Sequence, residues 1–83
     1  MAPRFIGIDP DTGSTNSPTV WVDEERHEIV LQGWVADAEL EAHCAAQVVP
    51  GHSLGIPEGE TVIRIPARMA SIVREACDVA ERS

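Results

Sequence analysis

Thr19-Val20-Trp21-Val22-Asp23-Glu24-Glu25-Arg26-His27-Glu28-Ile29-Val30-Leu31-Gln32-Gly33-Trp34-Val35 decides the fold. From Thr19 to Asp23 the side chains alternate. Val20 and Val22 take one face, and Thr19, Trp21 and Asp23 the other. From Glu28 to Val35, Ile29 and Leu31 share one face, and Val30, Gln32 and Trp34 the opposite one. A period of two in β-branched and aromatic residues is the pattern of a strand. Glu24-Glu25-Arg26-His27 is a short polar connection, so the two strands form an antiparallel hairpin with its tip in solvent.

Outward from the hairpin the chain is read in both directions. Arg4 to Asp9 alternates loosely, the pattern of a short first strand. Pro10 to Pro18 is built of turn formers and reads as a loop. Downstream, Asp37 is a good N-cap and Glu39 places negative charge in the first turn. Leu40, Cys44 and Val48 recur at helical spacing, which predicts a helix over Ala38–Val48, stopped by Pro50-Gly51. His52 to Gly59 is a loop, and Glu60 to Ile65 reads as a third strand. Pro66 suits the first position of a last helix. Along that helix Met69, Ile72, Val73, Ala76, Val79 and Ala80 form one apolar stripe, opposite Arg68, Arg74, Glu75, Asp78, Glu81 and Arg82.

A hairpin followed by α, β and α does not make a doubly wound parallel sheet. The order predicts an α+β fold: a small, mainly antiparallel sheet of three strands, four if Arg4 to Asp9 joins it, with two helices packed on it. Residues 1–83 read as a single small domain. A chain of 83 residues has little interior, so a homodimer or another partner surface is expected.

Composition bounds the function. Six arginines and no lysine face fourteen acidic residues, for a net charge of −8. The lysine-free, alanine-rich usage reads as codon bias of GC-rich DNA. A surface of that sign repels phosphate backbones and anionic lipid, so no direct nucleic-acid or membrane partner is expected. It favours docking on a basic protein, such as a DNA-binding regulator. Met1-Ala2-Pro3-Arg4 has no apolar run behind it, and no stretch is long enough to span a bilayer. A cytoplasmic location is the expectation, with Cys44 and Cys77 reduced and buried.

Chemistry is sparse in the motifs. His27, His43 and His52 with Cys44 and Cys77 lack metal-ligand spacing, and His43 and Cys44, adjacent on a helix, point about 100° apart. Ser53 beside His52 lacks the nucleophile-elbow glycines. The glycines Gly55 and Gly59 are flanked by proline and acid, not by a phosphate loop. No catalytic residue, metal ligand or cofactor is therefore assigned. Two tryptophans in so small a domain cap the core on the plainer reading. On the functional one they form a contact patch, since tryptophan is enriched at binding hot spots. The candidate partner-binding residues are Trp21, Glu24, Glu25, Arg26 and Trp34.

Two resemblances add to this. Ile6-Gly7-Ile8-Asp9-Pro10 resembles the first strand of ribonuclease-H-like Holliday-junction resolvases. That resemblance implies Asp9 as a ligand of a divalent metal in a small nuclease or hydrolase; Asp11 stands where that family has glycine, and the charge opposes DNA binding. Over most of its length the chain is similar to a group of short uncharacterised actinobacterial proteins of the streptomycete type. The similarity lies in Phe5–Pro10, Ser17–Trp21, Val30–Trp34 and Ile56–Pro66, and its most specific part is Gln32-Gly33-Trp34 followed by the Glu60-Thr61-Val62 strand. Those proteins are often encoded beside helix-turn-helix regulators and have no established activity. The resemblance thus implies no catalytic residues, and a non-catalytic protein-interaction or regulatory-accessory domain stays the leading expectation. The chain differs from them in a bulkier segment around His43 and Cys44.

Overall fold

The computed structural model describes residues 2–11, 13 and 17–83. The elements are β1 (Arg4–Ile8), β2 (Thr19–Asp23), β3 (Glu28–Gln32), β4 (Trp34–Val35), α1 (Ala38–Ala45), β5 (Ile63–Arg64) and α2 (Ala70–Arg82), with a 3₁₀ turn, Ala67–Met69, leading into α2. They make a three-stranded sheet in the order β1-β2-β3, a two-stranded sheet β4-β5 and two helices, an α+β arrangement. The chain divides into two compact units. One comprises residues 1–34 and 65–83, the other residues 35–64.

The first unit contains the hairpin as read from its sequence. β2 and β3 pair antiparallel in continuous register, Thr19 with Gln32, Trp21 with Val30 and Asp23 with Glu28. The Asp23 carboxylate accepts the backbone N–H groups of Glu25 at 3.1 Å and Arg26 at 2.9 Å, closing the turn. His27 then takes φ 57°, a left-handed conformation that reverses the chain at the expense of a crowded Cβ.

The third strand of this sheet is β1. It pairs antiparallel with β2, with a bulge between Phe5 and Gly7. The loosely alternating first strand is thus a full member, while the predicted Glu60–Ile65 strand shortens to Ile63–Arg64 in the other sheet. Strand β3 also ends before the predicted Val35. Thr19 opposite Gln32 is the first residue of β2, and Pro18 before it has no N–H to donate. Gly33 then breaks the strand, and Trp34–Val35 pairs with β5 instead.

Helix α2 covers one face of the three-stranded sheet. Val20, Val22, Met69 and Ala76 have no exposed surface, and Val79 is nearly as buried. Ile6, Ile65, Ile72, Val73 and Ala80 pack around them. Each fully buried valine or methionine contributes about 1.5–3 kcal/mol, so this small core carries most of the unit's stability. The helix lies close enough that a β-carbon on Gly7 would sit 2.8 Å from Ile72 Cγ2. Pro66 stands one step earlier than predicted, as N-cap of the 3₁₀ turn.

In the second unit, α1 starts where predicted. Asp37 is its N-cap, and the carboxylate accepts the Leu40 N–H at 2.8 Å. The helix stops at Ala45, short of the predicted Val48; Gln47 N–H turns to the Cys44 carbonyl. Val48 and Val49 are β-branched, and Val49 precedes Pro50, which disfavours helical backbone there. No residue of α1 is buried, and Cys44 is exposed rather than buried as predicted; Cys77 is half-buried. Both are free thiols. Two tight turns follow. His52 N–H bonds to the Val49 carbonyl across Pro50-Gly51, with Gly51 at φ 86°. Glu60 N–H bonds to the Pro57 carbonyl, with Gly59 at φ 92°. Glycine third, at positive φ, is what a type II turn demands; proline stands second in the first of these turns and first in the other.

Candidate interaction surface

The alternation that buries Val20 and Val22 against α2 turns Trp21 to the other face of the sheet. Register places Phe5 and Val30 directly beside Trp21 on its two neighbouring strands. Directly opposed residues of antiparallel strands share a face, so Phe5, Trp21 and Val30 form a cross-strand apolar row. Trp21 and Val30 are half-buried, and Phe5 is 56% exposed. Ile8, on the same strand as Phe5, is 44% exposed.

The acidic hairpin tip lies at one end of β2. Glu24, Glu25 and Arg26 are exposed. Arg4 Nη1 stands 3.8 Å from Glu24 Oε2, both side chains about half exposed, so the pair is worth little. The tip therefore stays a solvated, negative projection next to an apolar row. Of the predicted residues, the sheet brings together Trp21 with Glu24, Glu25 and Arg26 on one hairpin. Trp34 is half-buried and belongs to the β4–β5 sheet, so it is not a second ring on the hairpin. Phe5 and Val30 were missed by sequence reading. For Phe5 the signal was present in the alternation of Arg4–Asp9 but weakened by the bulge; Val30 was placed on a strand face but not beside Trp21.

Asp9 is committed elsewhere. Its buried carboxylate accepts Arg68 Nε at 2.7 Å on Oδ1 and Arg68 Nη2 at 2.6 Å on Oδ2. Oδ1 also accepts the Asp11 N–H at 3.1 Å, and Asp9 N–H donates to the Pro18 carbonyl at 2.9 Å. This is the fork geometry of a strong guanidinium–carboxylate pair. The hydrogen bond to Asp9 is the chief cause that raises the Arg68 pKa above its ordinary value; partial desolvation opposes it. Nearby, Thr19 Oγ1 at 2.7 Å and Gln32 Nε2 at 2.6 Å both donate to the Ser17 carbonyl. Thr12, Ser14, Thr15 and Asn16 of the predicted Pro10–Pro18 loop lie outside the described residues. These bonds fasten the ends of that loop to the sheet and to the 3₁₀ turn that leads into α2.

Among the described residues, no three His, Cys, Asp or Glu side chains converge as a metal would require. In the second unit Asp37, Glu39, Leu40 and His43 line a shallow depression of about 310 Å³, open to solvent. Among the described residues, no helix is long and apolar enough to cross a membrane. The chain matches no protein-family model, no curated protein sequence and no solved structure.

Proposed function

We propose that this chain is a non-catalytic interaction module, a regulatory accessory that binds another protein through the outer face of its three-stranded sheet. The observation that carries the reading is the exposed row Phe5, Trp21 and Val30 beside the acidic tip Glu24-Glu25. Tryptophan flanked by further apolar surface supplies contact area, and the rim charge selects partners and speeds encounter. The fitting partner presents an apolar strip edged by basic side chains. A basic, DNA-binding regulator has that chemistry, and the protein would then act on nucleic acid only through it. Arg26 lies at the same tip, whereas Trp34, the remaining candidate from the sequence, stands in β4, outside the three-stranded sheet.

Capture by the tagged chain from an extract of its source cells tests this. The unaltered chain retains one stoichiometric protein. Phe5→Ser with Trp21→Ala abolishes the capture and leaves far-ultraviolet circular dichroism unchanged. Glu24→Lys with Glu25→Lys weakens it at least tenfold at low salt, with a smaller effect at high salt. Adding Trp34→Ala to Trp21→Ala separates the roles of the rings: global unfolding would assign both to the core. Absence of a stoichiometric partner, or one retained by both surface variants, overturns the reading.

A further inference from the structure

The two edges of the three-stranded sheet are not alike. β1 is blunted by its bulge between Phe5 and Gly7, a device that twists an edge away from further pairing. β3 carries no such protection. Its register against β2 is unbroken over all five residues, and every residue except Val30 is exposed. No lysine, proline or inward-pointing charge interrupts Glu28-Ile29-Val30-Leu31-Gln32. Ile29 and Leu31 lie opposite Val22 and Val20, which places them on the face that α2 covers, yet they remain 41% and 43% exposed. An unbulged strand with two apolar side chains at the margin of the core is a template for another strand.

We infer that β3 is the homodimer interface of this protein, pairing antiparallel with β3 of a second copy about a two-fold axis at Val30. The sequence of the strand is self-complementary in that register. Val30 lies opposite Val30 of the second copy, Ile29 opposite its Leu31, and Glu28 opposite its Gln32. No carboxylate directly faces another, so the pairing escapes the like-charge penalty that a chain of net charge −8 would otherwise impose. The isologous contact closes on itself and consumes the open edge in both copies. It also produces one six-stranded sheet in which the Phe5–Trp21–Val30 row runs on into its symmetry mate. The inference rests on the edge and its register, not on the proposed partner-binding role.

Sedimentation equilibrium of the purified chain, from micromolar to a few hundred micromolar, tests it. The expected result is a species of twice the chain mass, with association weakened at least tenfold by Ile29→Lys with Leu31→Lys at unchanged circular dichroism. A second variant reads the register without disturbing the edge. Val30→Cys, in a background of Cys44→Ser and Cys77→Ser, forms an intermolecular disulfide on mild oxidation, because directly opposed antiparallel residues lie about 4.5–5.5 Å apart at Cα. Glu25→Cys in the same background does not. A monomer throughout the range overturns the inference. So does a dimer untouched by the lysines, or cross-linking no faster at position 30 than at position 25. Loss of partner capture with the dimer intact would strike only the proposed function.

Discussion

Asp9 and Arg68 stand 59 residues apart in sequence and make the best-formed polar contact among the described residues. The carboxylate has no exposed surface, whereas the arginine side chain is 43% exposed. That asymmetry makes the two partners unequal under mutation. Arg68→Met strands a buried charge, while Asp9→Asn leaves a cation that solvent still reaches. Arg68→Met is therefore expected to lower the urea midpoint further than Asp9→Asn. The double variant is expected to recover part of the loss. The reverse order would show that the carboxylate is solvated. On pH, a folded-state pKa raised above the unfolded one gives stability that is fully present below the unfolded value and lost only as pH climbs through the folded one. For Arg68 that window lies at the strongly alkaline end. The urea-midpoint difference between the unaltered chain and Arg68→Met should then stay constant from neutral pH to about pH 10. The sequence shows an aspartate ending a strand, and resemblance reads it as a metal ligand. Only the fold supplies the guanidinium that occupies it.

Elements followed their local signals where a few neighbouring residues suffice. Asp37 caps α1 through a bond spanning three residues, and Asp37→Ala should cost about 1 kcal/mol, seen as faster amide exchange in Ala38–Ala45 alone. Uniform acceleration across α2 as well would contradict a local cap. The turns at Pro50-Gly51 and Pro57-Glu58-Gly59 were legible as a loop for the same reason, because proline and glycine set their own backbone angles. The far end of α1 was not. Leu40, Cys44 and Val48 have helical spacing, yet Cys44 is exposed and Val48 is 65% exposed, so no core holds the last turn in place. Periodicity registers a possible face; burial of that face decides whether the turn forms.

At the scale of the whole molecule, one small core holds the three-stranded sheet to α2. Met69 is its largest fully buried side chain. Met69→Ala should cost about 2–5 kcal/mol, a large share of the stability of so small a unit, read as a drop in thermal midpoint. A midpoint unchanged within a degree or two would mean that the core lies elsewhere. The sequence by itself determined the β2–β3 hairpin, the apolar stripe of α2, the Asp37 cap and the two glycine turns, because each depends on residues a few positions apart. The tertiary structure decided the rest. It chose Arg4–Ile8 over Glu60–Ile65 as the third strand, moved Trp34 into a second sheet, and sent Asp9 to Arg68. It also left Phe5 beside Trp21 on an open face. Those choices turn on pairing and burial between distant segments, where several partners have similar local propensity and only the packed arrangement distinguishes them.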